Sequence, residues 1–162
     1  MEDKKLVGSS AVIRFPEVEL VAVPARIDTG ARLSSIWGHA QEENGQLVVT
    51  FFGQGSPLYT GKKHIFRGHE YEQVAVASSM GHIQTRYKIK LLVVLKGKKI
   101  RAAFSIADRS TQVYPVLLGR NVLRGKFVVD VKKGQSLRQD ERSRIEELQS
   151  HVPKNSKKEL ES

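Results

Sequence analysis

The stretch Ala25-Arg26-Ile27-Asp28-Thr29-Gly30-Ala31 is the part of the chain that decides the fold. An apolar, β-prone run leads directly into Asp28, and Gly30 permits a tight turn that a residue with a Cβ atom would resist. The Thr29 hydroxyl and the loop amides can hydrogen-bond to neighbouring chain and so hold the Asp28 carboxylate rigidly. A rigid carboxylate at a strand end suits the activation of water, but an Asp-Thr-Gly triplet also forms ordinary Asx turns.

A second informative segment is Tyr114-Pro-Val-Leu-Leu-Gly-Arg-Asn-Val-Leu, which ends at Leu123. Two apolar residues precede its Gly-Arg-Asn triplet. On its own, the segment predicts a buried strand, a turn and a short helix over Arg120–Leu123 that ends at Gly125.

The remaining body consists of short apolar or alternating runs separated by Gly, Pro, Asn and Ser. Arg86, Lys88 and Lys90 alternate with apolar residues, which places the charges on one strand face. The pattern predicts a mainly antiparallel β-barrel or sandwich with a compact turn at 96–98. The candidate strands are Ala11–Phe15, Leu20–Ile27, Gln46–Phe52, Lys63–Phe66, Glu72–Ala77, Ile83–Leu95, Ile100–Ile106, Val113–Leu118 and Phe127–Val131.

The C-terminal part differs in composition from the body. A helix is predicted from about Ser136 to Gln149, with only a thin apolar stripe. Residues 151–162 contain too few apolar groups to pack, so we expect disorder there. The chain therefore divides into a β domain, residues 1–131, and a charged helix and tail, residues 132–162.

Composition excludes several classes of protein. The 162 residues carry a net charge of +10, with 40% hydrophobic residues and no cysteine. The lack of cysteine excludes disulfides, cysteine-based zinc sites and thiol catalysis. With no secretory signal and no apolar run long enough to cross a bilayer, the sequence favours a cytoplasmic protein without membrane association.

In combination and in this order, the two motifs resemble the retropepsin-like aspartic proteases. The resemblance is closer to a bacterial and archaeal group labelled ATP-dependent zinc proteases, and it covers roughly residues 10–131. It implies a small closed acid-protease β-barrel with a short helix after the Gly-Arg-Asn segment, and this segment packs beneath the Asp28 loop. The matching residues are Ile27-Asp28-Thr29-Gly30-Ala31-Arg32, Ser34-Ser35, Arg86, Asp108-Arg109-Ser110 and Tyr114-Pro115-Val116-Leu117-Leu118-Gly119-Arg120.

The resemblance implies an aspartic endopeptidase that hydrolyses peptide or peptide-like amide bonds. That chemistry needs two carboxylates facing one water, and their like charges make the pair share a proton. Only Asp28 lies in an Asp-Thr-Gly context, so the simplest completion is a homodimer with Asp28 from each subunit. Thr29, Gly30 and Ala31 would form the active-site loop. The supporting residues would be Leu118, Gly119, Arg120, Asn121, Asp108 and Arg109.

A flap hairpin should lie between the two motifs. The candidate tip is Ser78-Ser79-Met80-Gly81-His82, where Gly81 would allow a mobile turn that closes over substrate. The competing flap is Phe52-Gly53-Gln54-Gly55-Ser56-Pro57.

Two features depart from the retroviral pattern. The residue after Asp-Thr-Gly-Ala is Arg32 rather than an acid, so it would repel Arg120 instead of pairing with it. Arg120 would then pair with Asp108 or Asp130. A charged helix and tail also replace the C-terminal strand of a retroviral dimer interface.

The sequence contains no His-Glu-x-x-His and no phosphate-binding Gly-x-x-x-x-Gly-Lys motif, so we expect no metal and no cofactor. The resemblance implies that ATP enters through a separate ATP-grasp ligase partner. An alternative function is a non-catalytic module whose basic 86–101 face docks an anionic protein or RNA. A steep salt dependence of binding would distinguish this module from a peptidase.

Overall fold

The computed structural model describes residues 3–77, 80–133 and 138–150. In these ranges the chain forms mostly β-strands, joined by short turns. A short 3₁₀ helix spans Pro16–Val18, and the two α-helices are α1, Arg120–Leu123, and α2, Arg138–Ser150. The strands are β1 Lys5–Val7, β2 Ser10–Phe15, β3 Leu20–Ile27, β4 Ser34–Glu43, β5 Gln46–Phe51, β6 Lys63–Phe66, β7 Tyr71–Ala77, β8 Ile83–Leu95, β9 Lys98–Ala107, β10 Val116–Leu118 and β11 Phe127–Val129.

Six strands close into a barrel in the order β10–β3–β2–β8–β9–β4, and β4 pairs back to β10. β10 runs parallel to β3, and β4 runs parallel to β9. The other neighbours in the ring are antiparallel. The closed ring confirms the mainly β barrel, and each of its six strands pairs with two neighbours within the ring.

The remaining strands attach to this barrel. β5 and β6 continue the sheet beyond β4, and β7 pairs with the first half of β8 as a long hairpin. β1 and β11 form a separate two-stranded parallel sheet. Within the described ranges, no helix is both long and apolar enough to cross a membrane.

The barrel interior holds the core. The rings of Phe15 and Phe104 meet edge to face at 5.3 Å, and both side chains are fully buried. On β8, Ile89 and Leu91 point inward, whereas Lys90 between them is exposed. The alternation of charged and apolar residues predicted for this strand is therefore confirmed, and it arises because successive side chains point to opposite faces.

The turn between β8 and β9 is confirmed as a two-residue hairpin, because Leu95 pairs with Lys98. Lys96 and Gly97 both have positive φ angles, 51° and 79°. Positive φ at both central residues defines the turn type whose twist matches the flanking strands.

The largest error of the sequence prediction concerns β4, which was not predicted although it closes the barrel. Its sequence, SSIWGHAQEE, contains few β-branched or aromatic residues, and it is held in place by pairing with β9, β10 and β5. β1 was also missed. The strand predicted from Val113 begins only at Val116, whereas the helix predicted at Arg120–Leu123 is confirmed with the same bounds.

α2 agrees with the helix predicted over 136–149 and lies against one side of the barrel. The guanidinium of Arg144 donates a hydrogen bond to the carbonyl of Ser110 at 2.7 Å and lies 5.9 Å from the Trp37 ring centroid. Trp37 is buried and belongs to the core. The disorder predicted for residues 151–162 lies outside the described residues.

Candidate active site

Asp28 follows directly after β3 and is held from two sides. Its backbone N–H donates to the carbonyl of Leu118 at 2.9 Å, which ties the loop to β10. Its carboxylate Oδ1 accepts the N–H of Gly30 at 2.9 Å. This local bond fixes the carboxylate orientation, and the half-buried side chain remains accessible to a ligand.

Arg120 clasps the loop that carries Asp28. Its guanidinium donates to the carbonyls of Thr29 at 3.1 Å and Gly30 at 3.0 Å. The backbone N–H of Arg120 donates to the carbonyl of Ala31 at 2.8 Å. The expected pairing with Asp108 or Asp130 was wrong. Loop carbonyls, each carrying partial negative charge, take the place of the acidic partner.

A buried hydroxyl network lies beneath the loop. The hydroxyl of Ser34 donates to Oδ1 of Asn121 at 2.7 Å and accepts the N–H of Gly119 at 3.0 Å. The amide of Asn121 donates in turn to the carbonyl of Ala103 at 2.8 Å. Ser34, Gly119 and Asn121 therefore form one connected polar network that links the loop, β10 and β9.

Ser34 matches the family pattern but was not predicted as a supporting residue. Its side chain is fully buried, and it sits at the start of β4. Because β4 itself was not predicted, the sequence offered no strand on which this serine could be recognised as inward-facing.

Gly119 lies where the Gly-Arg-Asn segment packs so closely against the Asp28 loop that only glycine fits. A Cβ atom at this position would lie 2.5 Å from the carbonyl oxygen of Leu33 and 2.8 Å from that of Ala31. Its φ of −95° is open to any residue, so the requirement is space and not backbone freedom. The Gly-Arg-Asn segment thus packs directly against the Asp28 loop, as the resemblance implied.

Asp108 and Arg109 follow β9 and lie in the turn that leads to β10. The hydroxyl and backbone N–H of Ser110 lower the pKa of Asp108, with the N–H at 2.9 Å from Oδ1. The Nε of Arg109 donates to the carbonyl of Tyr114 at 3.0 Å. Burial lowers the pKa of the half-buried Arg109, the charge of Arg26 lowers it further, and Asp28 opposes both effects.

Arg26 was not predicted as a site residue. Arg26 is exposed on β3, two residues before Asp28. Continuing the alternation of β3 by one residue places the Asp28 side chain on the same face, away from the core. The strand alternation of Val23, Ala25 and Ile27 toward the core was the signal that could have identified it.

The hairpin of β7 and β8 includes the predicted flap tip. Ser78 and Ser79 lie outside the described residues, and Met80, Gly81 and His82 follow them before β8 begins. Gly81 has φ +82°, and Met80 is 82% exposed. The competing loop is anchored at its start, since Phe52 is buried and its N–H donates to the carbonyl of Trp37. The flap remains a prediction at 78–82.

Among the described residues, no group of three or more His, Asp or Glu side chains is arranged to hold a metal ion. His64 lies on β6, where its ring packs 5.4 Å from that of Phe51, and burial lowers its pKa. His69 lies in the turn that follows β6.

A closed β-barrel with an Asp-Thr-Gly loop clasped by a Gly-Arg-Asn segment defines a retropepsin-like protein. Residues 6–140 match the family described as "RimB-like: Retropepsin-like aspartic endopeptidase RimB", and the chain belongs to this family. The match confirms the retropepsin-like resemblance. The narrower label of ATP-dependent zinc protease is not part of that description.

Curated relatives of the chain are named as ligases and not as endopeptidases. The chain is 30% identical over 154 residues to a protein of Shewanella halifaxensis named "Probable alpha-L-glutamate ligase", covering 91% of the chain and 33% of the relative. A Desulfotalea psychrophila protein of the same name is 28% identical over 134 residues, covering 78% of the chain and 28% of the relative. The chain therefore spans about one third of the length of these relatives.

Among solved structures, the fold is similar to that of a Legionella pneumophila protein of unknown function. The TM-score is 0.59 at 20% identity, covering 81% of this chain and 96% of the other. This similarity concerns the fold alone.

Proposed function

We propose that this chain is an aspartic peptidase that hydrolyses peptide bonds in glutamate-rich segments. The observation that carries the proposal is the Asp28 carboxylate, fixed at a strand end by the Gly30 N–H in a retropepsin-like family member. Asp28 from a second copy would complete the pair. Among the described residues, Gly30 is the one hydrogen-bond donor to this carboxylate, so the other oxygen is free to face a water molecule.

The reaction follows from one proton shared between two carboxylates. The ionised Asp28 removes a proton from water, whose oxygen attacks the scissile carbonyl carbon. The protonated Asp28 of the other copy donates its proton to the carbonyl oxygen, giving a neutral tetrahedral diol. The diol then collapses and its C–N bond breaks. The leaving amine takes a proton from the first Asp28, and the second Asp28 takes a proton back from a hydroxyl of the diol.

The substrate class is supported by the relatives and by charge. Relatives named as glutamate ligases contain a region similar to 91% and 78% of this chain. A peptidase joined to such a ligase would act on glutamate-containing chains. A net charge of +10 favours the approach of a polyanionic peptide. ATP use would then belong to the ligase, which in this proposal is a covalent or separate partner.

We expect the protein to cut an α-linked octaglutamate peptide into shorter fragments, which mass spectrometry would detect. A peptide containing a statine-type diol mimic should block the reaction, since it imitates the tetrahedral intermediate. An octapeptide with Lys in place of every Glu serves as the matched control and should remain intact. Failure to cleave octaglutamate at protein concentrations that give a dimer would contradict the proposal.

The separate sheet of β1 and β11 is a candidate dimer surface. Leu6 pairs with Val128, and both apolar side chains point outward with 43% and 51% of their surface exposed. In the described residues, each strand pairs with the other alone, so both outer edges of this sheet are open. A second copy could cover the apolar face and extend the sheet.

Replacing Leu6 and Val128 together by Lys is expected to give a monomer that folds but does not hydrolyse peptide, because the second Asp28 is then missing. Analytical ultracentrifugation and the octaglutamate assay, run at one protein concentration, measure both properties. Val21→Lys is the control, since Val21 is also strongly exposed but lies on β3. A monomeric double variant with full activity would refute the shared-dyad mechanism.

The alternative, a module that binds anions through residues 86–101, has weaker support. Lys88 is paired with Glu72 at 3.2 Å, and Arg101 with Glu17 at 2.9 Å. Because Lys88 and Arg101 are already paired with glutamates, residues 86–101 do not form a continuous basic surface for an anionic partner.

A further inference from the structure

Two arginines from different parts of the chain lie near β3, the strand that leads into Asp28. Arg26 lies on the outward face of β3, opposite Leu117 of β10 in the parallel pair. Arg109 reaches the same region from the turn after β9, where its Nε is bound to the carbonyl of Tyr114 just before β10. Because β10 pairs with β3, the Arg109 anchor at Tyr114 lies beside the strand that carries Arg26 and leads into Asp28. The charges of Arg26 and Asp28 both act on Arg109.

Within the described residues, neither side chain is neutralised by an ion pair. Among the described residues, no carboxylate lies within ion-pair distance of either, whereas Arg101 and Lys88 are paired with glutamates. Burial lowers the pKa of Arg109 most, the Arg26 charge lowers it further, and the Asp28 charge opposes them only in part. An additional carboxylate between the two guanidiniums would relieve this repulsion.

We infer that Arg26 and Arg109 form the pocket that binds the side-chain carboxylate of the substrate residue next to the scissile bond. This assignment rests on the proposed function, and it identifies the residues that would make the site prefer glutamate. Fixing Nε to Tyr114 leaves the two Nη groups of Arg109 for a carboxylate, which a guanidinium binds with two parallel hydrogen bonds.

A different role for Arg109 would be to act on Asp28 alone, through its charge. That role changes the rate for every substrate by the same factor. A substrate pocket instead changes the ratio between a peptide with Glu at the contacted position and the same peptide with Gln. The Glu-to-Gln ratio therefore separates the two roles.

The test uses fluorescein-labelled octaglutamate and eight variants of it, each with one Glu replaced by Gln. Binding is measured by fluorescence anisotropy on the Asp28→Asn protein, and kcat/KM is measured on the protein with Asp28 intact. In both backgrounds Arg26→Gln, Arg109→Gln and the double variant are compared with Arg14→Gln. Arg14 is an exposed arginine on β2, opposite Val94 of β8, and its replacement removes one positive charge, as each single variant does.

At one peptide position, Glu→Gln should weaken binding by about tenfold to a hundredfold, the size of a charge-assisted pair. In the Arg26→Gln/Arg109→Gln protein, the affinity ratio of the Glu peptide to the Gln peptide should fall to near one. In the Arg14→Gln protein, this ratio should be unchanged. Equal binding of all the peptides, or a ratio unaffected by the double variant, would overturn the inference.

Failure of the proposed function gives a different result. If the Glu preference depends on Arg26 and Arg109 but no peptide is cut, the pocket stands and the peptidase activity does not. If octaglutamate is cut with no Glu-to-Gln preference at any position, the activity stands and the pocket does not.

Discussion

Replacing Asp28 by Asn is expected to lower kcat for octaglutamate hydrolysis by about a thousandfold or more, since it removes both proton-transfer groups of the dimer. The amide oxygen of Asn can still accept the Gly30 N–H, which Asp28 accepts at 2.9 Å. The loop should therefore keep its shape, because the Arg120 contacts to Thr29 and Gly30 involve backbone carbonyls. Peptide fragments measured over time, together with far-UV circular dichroism, report activity and fold separately.

Asp130→Asn is the matched control for this experiment. Asp130 has the same local geometry, with its Oδ1 accepting the N–H of Lys132, two residues later, at 3.0 Å. The substitution makes the same chemical change in the same kind of turn but leaves the Asp28 carboxylate in place, so kcat should be unchanged. An Asp28→Asn protein that cleaves as fast as the unmodified one would eliminate Asp28 as the catalytic acid and base.

The candidate catalytic loop was predictable because its signals are local. The apolar run before Asp28 predicts a strand, and Gly30 predicts the tight turn that follows it. The helix that begins at Arg120 has the bounds predicted from the sequence. The contact between the two motifs was not readable from composition or periodicity. It came from resemblance to a family, and the hydrogen bond from Asp28 to Leu118 now gives it a physical basis.

The features that the sequence did not reveal depend on pairing between distant strands. β4 became a strand because β9, β10 and β5 all pair with it, although its own residues favour strand formation weakly. Arg26 and Arg109 are separated by most of the barrel in sequence and share a site only because β3 and β10 lie side by side. Periodicity assigns each arginine to a strand face or a turn, but it cannot say which neighbour that face meets.

Gly119→Ala is expected to reduce the free energy of unfolding by about 3 kcal/mol, at the upper end of the usual cost of overpacking. The added methyl would lie 2.5 Å from the Leu33 carbonyl oxygen and 2.8 Å from that of Ala31. Neither oxygen belongs to a flexible side chain, and the Ala31 carbonyl is already held at 2.8 Å by the N–H of Arg120. The backbone must therefore separate, which disturbs the Arg120 clasp and the orientation of Asp28.

Urea unfolding followed by circular dichroism measures this loss, and the octaglutamate assay measures its effect on Asp28. Gly68→Ala is the control, because the nearest atom to its Cβ would be 3.9 Å away and its unfolding midpoint should stay close to that of the unmodified protein. An unchanged midpoint for Gly119→Ala would mean that the two motifs are not packed as closely as the structure has them. If the variant is destabilised but remains folded at the assay temperature, its kcat should also fall, since the clasp that orients the Asp28 carboxylate is built on the same backbone contact.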